Sequence, residues 1–247
     1  MRRFALTGVA LAVLTLGACQ QQDADNGVSF DAKVRNYLMS HPDDLRKAVA
    51  NMQAKEDADA DKAQAQADIK AKAALPALRA ALERDPRDFA ANPNGKVTVT
   101  EFYDYRCPHC INIAPKVVAL IKAHPDVRFV FKEMPIFGAT SDHAARAALA
   151  AKAQGKDYVG LYEAFMAARP LNDEDIDRIA AAKGVDIALM NAPATLAKDQ
   201  AQIDDIAKLA NKLAIDGTPG FIVGDTIIHG DDDDALTAAI TAAQHKS

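Results

Sequence analysis

The chain has 247 residues, three cysteines and a formal net charge of −5, and no cluster of Lys and Arg interrupts that acidic balance. Such a surface argues against nucleic acid as a partner. Residues 1–18 carry Arg2 and Arg3 but no acid, so their removal moves the charge from −5 to −7.

Arg2 and Arg3 form a basic n-region, followed by an apolar stretch from Phe4 to Leu16 that is too short to span a bilayer. The cleavage region is Leu16-Gly17-Ala18-Cys19. Leu16 is large for the −3 position of a general signal peptidase site. The tetrapeptide instead resembles a bacterial lipobox, in which Cys19 becomes the lipidated first residue. Residues 1–18 are therefore read as a lipoprotein signal peptide; an ordinary signal peptide with an incidental cysteine is the alternative. Gln20, rather than Asp, follows Cys19, which in this resemblance argues against retention at the inner membrane. The expected location is the periplasm, lipid-anchored to the outer membrane, with the soluble periplasm as the alternative. Once Cys19 is lipidated, one cysteine pair remains for an oxidising compartment.

Residues 19–27 read as a polar tether. Across 28–52, Phe30, Val34, Tyr37 and Leu38 follow helical spacing, Pro42 interrupts, and Leu45, Val49 and Met52 resume it. This stripe is too narrow for a core of its own and too apolar to stay solvated, so residues 28–52 are expected to make the chain a homo-oligomer. Residues 53–91 read as a helical linker: Gln53 to Ala74 is almost wholly Ala, Lys, Gln, Asp and Glu, Leu75 to Arg84 is a further short helix, and Asp85-Pro86 is turn punctuation. A second domain is expected over 92–247.

That domain opens with Val97 to Tyr103, a run of β-branched and aromatic residues that reads as a buried strand. Cys107-Pro108-His109-Cys110 follows, and Ile111 to Ala123 reads as a helix. Cys107 thus falls at a helix N-terminus, where unpaired N–H groups and the helix dipole stabilise a thiolate, and Pro108 suits the first turn. A C-x-x-C in this position points to thiol–disulfide exchange. A disulfide over two intervening residues closes too short a loop to stabilise a fold much, and no second C-x-x-C or H-x(3–5)-H completes a zinc site, so no metal is expected.

Val127 to Glu133 is the next strand, parallel to the first by its β–α–β order. A helical stretch about 139–205 follows, and Phe221 to Val223 with Thr226 to Ile228 form a hairpin around Gly224-Asp225. A closing helix runs from Leu236 to Ala243. Asp231 to Asp234, just before it, read as capping and dipole complement.

Strand, C-P-H-C, helix, strand, helical insertion, then Gly217-Thr218-Pro219 before a hairpin: from about Asn92 onward this resembles the DsbA-like branch of thioredoxin-fold oxidoreductases. The segment from Phe30 through Asp43-Asp44-Leu45 is similar to the N-terminal element of ScsC and Com1-type relatives. The expected fold is α/β: thioredoxin-like with an all-helical insertion, preceded by a helical N-terminal extension. The resemblance implies that Cys107 is the attacking thiolate and Cys110 the resolving thiol, with His109 stabilising the former. It implies that Thr218-Pro219 is the cis-proline loop that meets substrate. It also implies that Glu101 lies beneath the site and helps proton transfer to Cys110, its raised pKa moderated by the ammonium of Lys132 on the neighbouring strand.

The expected function is disulfide isomerase or reductase without an organic cofactor, on unfolded or misoxidised envelope proteins and with a membrane redox partner. A dithiol oxidase is the alternative, since oxidase-type relatives lack the N-terminal element. A copper-binding lipoprotein using the two thiolates is the rival from another class.

Overall fold

A computed structural model describes residues 29–246. The signal peptide, Cys19 and the whole tether, residues 19–27, lie outside the described residues. Two compact units divide between Asp57 and Ala58.

In the first unit, α1 (Phe30–Ser40) starts where the Ser29 side chain accepts the Ala32 N–H at 3.3 Å. It stops before Pro42, which disfavours helical backbone at the residue ahead of it. Pro42 then opens α2 (Pro42–Glu83), at a position where its missing N–H costs nothing. Tyr37 fastens the corner: its ring stacks on His41 at 4.2 Å and its hydroxyl donates to Asp44 at 3.0 Å. No residue of α1 is buried, and Phe30, Val34, Tyr37, Leu38, Leu45 and Val49 are exposed.

The second unit is built on a five-stranded sheet of β1 (Phe89–Ala91), β2 (Val97–Tyr103), β3 (Val127–Glu133), β4 (Gly220–Val223) and β5 (Thr226–His229), in the order β1-β3-β2-β4-β5. β2 and β3 are parallel and joined through α3 (Pro108–Ala123); the remaining pairings are antiparallel. Between β3 and β4 come α4 (Ala139–Ala153), α5 (Tyr158–Ala167), α6 (Asp173–Ala182), α7 (Ile187–Met190) and α8 (Pro193–Lys212), and α9 (Asp233–Gln244) ends the order.

Alternation along β2 sends Val99, Glu101 and Tyr103 to one face and Thr100 and Phe102 to the other. The first face carries the larger core, in which Val99 and Tyr103 join Ile113 and Val117 of α3, Phe165 of α5 and Leu236 of α9. The second face packs Phe102 and Ile222 against Leu75 and Leu82 of α2 and Ile206 and Leu209 of α8. Every residue of β2 is buried, as befits a central strand covered on both sides.

Three expectations need correction. Residues 53–91 are not a linker ending in a separate short helix: α2 is continuous to Glu83, and Leu75 and Leu82, both 0% exposed, belong to the second core. Their burial, not helix propensity, fixes this part of α2; truncating either to Ala would cost about 2–5 kcal/mol. Residues 89–91, read as lying in the linker, form β1, because Phe89 pairs with Phe131 and stacks on Tyr158 at 4.1 Å. The helical insertion continues past 205 to Lys212, since Ile206 and Leu209 give α8 a buried face.

Candidate active site

The chain leaves β2 at Tyr103 and turns into α3 through Asp104, which is 2% exposed. Its carboxylate accepts the N–H groups of Arg106 at 2.7 Å, Ile136 at 2.7 Å and Phe137 at 3.0 Å, and the Ser141 hydroxyl at 2.9 Å. Its carbonyl accepts the Cys107 N–H at 3.2 Å, and its own N–H points at Cys110 Sγ, 3.5 Å away. One aspartate therefore binds the C-P-H-C turn to the loop after β3. Asp104 is absent from the sequence-based site, although its signal is local: an acid directly after an apolar strand and before C-x-x-C.

Cys107 caps α3 with extended backbone (φ −70°, ψ 122°), and Pro108 takes the first helical turn. Both Cys107 and Cys110 are free thiols. Cys107 Sγ lies 3.1 Å from the carbonyl oxygen of Thr218, and the Thr218–Pro219 peptide is cis. The loop is tied to the end of β5 by the Gly230 N–H, which donates to the Pro219 carbonyl at 2.9 Å. The structure thus joins Cys107, Cys110, Thr218 and Pro219, from sites 108 or more residues apart in sequence.

The two thiols differ sharply in acidity. Hydrogen bonding with the Cys110 thiol, then contact with Thr218 and the N–H groups of Cys110 and His109, brings Cys107 down to about 5 against the upward push of burial. Cys110 moves the other way, far above the thiol range, chiefly because it is buried and then because it faces Cys107. At neutral pH the pair therefore holds a Cys107 thiolate, ready to attack a disulfide, beside a protonated Cys110.

Glu101 is 2% exposed on the same face of the sheet as this core, and burial raises its carboxyl to about 8; a hydrogen bond from the Tyr162 hydroxyl at 3.2 Å opposes the shift. Its charge also acts on Cys110. Lys132 is a correction. In register it lies opposite Phe102, whereas Glu101 lies opposite Phe131, so the ammonium emerges on the other face of the sheet. There it is buried against Asp88, with which it makes an ion pair, and donates to the Ala81 carbonyl at 2.6 Å.

His109 is among the groups that lower Cys107, through its backbone N–H, and its exposed imidazole places Nδ1 3.0 Å from Asp231 Oδ1. Behind the site, three tyrosines gather with a second buried acid. Glu133 accepts the hydroxyls of Tyr103 at 2.6 Å and Tyr158 at 2.5 Å, while Tyr105 reaches Tyr103 at 2.9 Å. Burial raises Glu133 to about 8 as well. Nothing in the local sequence marks this cluster, because its members come from β2, the turn after it, β3 and α5. Among the described residues, no group of three or more His, Cys, Asp or Glu is placed to hold a metal ion.

The sheet, the crossover helix and a dithiol facing a cis-proline define a thioredoxin-like redox protein. The chain belongs to the DSBA-like thioredoxin domain family, which it matches over residues 98–240, more than half its length. It is 33% identical over 138 residues to the thiol:disulfide interchange protein DsbA of Bordetella pertussis, covering 53% of this chain and 64% of that protein. It spans a smaller share, 25%, of the Na(+)/H(+) antiporter NhaA 3 of Salinispora tropica, which it also matches. No helix among the described residues is long and apolar enough to cross a membrane. A thioredoxin-like oxidoreductase from Silicibacter pomeroyi is 38% identical with a TM-score of 0.62, covering 68% of this chain and 98% of that one. Proteus mirabilis ScsC in a transitional conformation is 25% identical with a TM-score of 0.65, covering 88% of this chain and 96% of that one.

Proposed function

We propose that this protein is an envelope thiol–disulfide oxidoreductase that acts on protein disulfides as an isomerase or reductase. The opposite acidities of Cys107 and Cys110 carry this reading. The Cys107 thiolate attacks one sulfur of a client disulfide, forming a mixed disulfide and releasing the other client sulfur as a thiolate that takes up a proton. For reduction, Cys110 attacks Cys107 Sγ and displaces the client sulfur, which takes up the proton that Cys110 releases by way of the Glu101 carboxyl. This leaves Cys107–Cys110 oxidised and the client as a dithiol. For isomerisation, a second client thiol attacks the mixed disulfide instead, and the enzyme leaves reduced.

The direction of electron flow is argued from the N-terminal unit. Its exposed stripe of Phe30, Val34, Tyr37, Leu38, Leu45 and Val49 suits self-association, which would hold several dithiols around one client at high effective concentration. Lipidation at Cys19 and anchoring in the periplasm, with a membrane protein restoring the working redox state, complete the proposal. The copper-binding rival has two thiols but, among the described residues, no third His, Cys, Asp or Glu placed with them to hold a metal.

The test is the resting state of Cys107 and Cys110 in the cell envelope, read by thiol alkylation, together with reduction of insulin by the purified protein. A mostly reduced pair and active insulin reduction are expected. A mostly oxidised pair would assign the dithiol oxidase role, and tight copper binding without insulin reduction would assign the rival.

A further inference from the structure

We infer that Asp231 is a positioning residue for the dithiol: it holds the imidazole of His109 and neutralises its charge, so that the pair is a weaker oxidant than C-P-H-C would otherwise be. The inference rests on the proposed role of Cys107 and deepens it, since a weaker oxidant suits reduction and isomerisation.

His109 is the second residue of α3 and its side chain is 65% exposed, so no packing fixes its ring. What fixes it is Asp231, whose Oδ1 meets Nδ1 at 3.0 Å, while Asn112 Nδ2 reaches Oδ2 at 3.4 Å. Slight burial pushes the Asp231 carboxyl up, but the bonds from His109 and Asn112 leave it below its ordinary value. Asp231 reaches α3 because Gly230, at φ +79°, turns the chain while its N–H is bonded to Pro219. The acid is thus delivered by the same loop junction that presents the cis-proline.

The other charges along this seam have partners of their own. Lys116 of α3 pairs with Asp233 at 3.6 Å, Asp232 accepts the Ala235 N–H at 2.8 Å as the cap of α9, and the Arg106 guanidinium donates to the Phe137 carbonyl at 2.9 Å. Asp234 stands in the first turn of α9. His109 is therefore the cation whose charge Asp231 governs. Cations beside a reactive thiol favour the thiolate, and a stabilised thiolate makes the disulfide form more oxidising. An imidazolium already matched by a carboxylate supplies less of that field. The sign follows from the geometry: removing the Asp231 carboxylate takes away a negative charge that holds the imidazole, which favours the Cys107 thiolate.

The test uses the soluble full-length protein without its signal peptide, in wild-type form and as Asp231→Asn, His109→Gln and the double variant. Thiolate absorbance gives the Cys107 pKa, and equilibration with glutathione gives the redox constant. Asp231→Asn is expected to lower the Cys107 pKa by about 0.5–1 unit and to move the glutathione equilibrium roughly threefold to tenfold toward the dithiol. In the His109→Gln background the shift should fall to less than half. No shift, an upward shift, or an equal shift in both backgrounds would overturn the inference. A wild-type Cys107 titrating like a free thiol would instead remove the underlying reading and the inference with it. Asp231→Ser, which also deletes the charge, must reproduce the direction.

Discussion

Lys132 and Asp88 form an ion pair sealed beneath α2 and α8, on the face of the sheet turned away from Cys107. Asp88 also accepts from Gln202 at 3.2 Å, so the carboxylate is held from two elements. Burial nevertheless pushes its carboxyl above the usual range, only partly offset by Lys132. Breaking such a pair leaves one charge buried alone. Lys132→Ala is expected to destabilise the protein by about 3–5 kcal/mol in denaturant unfolding while leaving the Cys107 pKa unchanged. A displaced Cys107 titration would restore Lys132 to the redox machinery.

Glu101 gives a pH-dependent stability of known sign. The folded protein holds the Glu101 proton up to about pH 8, whereas an unfolded carboxyl releases it near 4.5. Its contribution is therefore fully present below the lower value and is lost as the pH rises through the higher one. Glu101→Gln cannot ionise and keeps an acceptor for Tyr162. It should raise the melting temperature relative to wild type by roughly 2–4 °C or more at pH 8, with little change at pH 4. It should also slow release of mixed disulfides. Equal changes in melting temperature at the two pH values would show that Glu101 does not titrate in this interval.

The unequal thiols predict unequal traps. Cys110→Ala should accumulate mixed disulfides with envelope proteins, because capture by Cys107 proceeds and resolution does not. Cys107→Ala should accumulate almost none, since a Cys110 thiol raised far above its ordinary range is rarely a thiolate. Non-reducing gels of cells carrying each variant decide the matter, and equal trapping would reverse or dissolve the assignment.

Deletion of residues 28–52 removes most of the exposed stripe of α1 and α2 but none of the core of the second unit. The truncated protein is expected to sediment as a monomer, to retain insulin reduction and to lose isomerisation of a scrambled multi-disulfide client. A full-length soluble protein that is itself monomeric would contradict the expectation.

What the sequence determined by itself is local chemistry. A cysteine after an apolar strand, a proline in the next position and helix-forming residues beyond leave few backbone solutions, so the thiols, their helix and the parallel crossover could be read in order. The hairpin at Gly224 was legible for the same reason, as was the apolar stripe of α1. The tertiary structure alone decided which face each strand residue occupies. A shift of one residue in the register between β2 and β3 would put Glu101 and Lys132 on the same face, and no neighbouring residue encodes that choice. It also decided that α2 continues into the second core, because Leu75 and Leu82 gain their burial from Phe102 of β2 together with α8 and Ile222, the last two more than 100 residues later. The partner of His109 belongs to the same class: its imidazole is exposed, and its orientation depends on an acid 122 residues downstream that reaches it only because the Pro219 loop and β5 are joined.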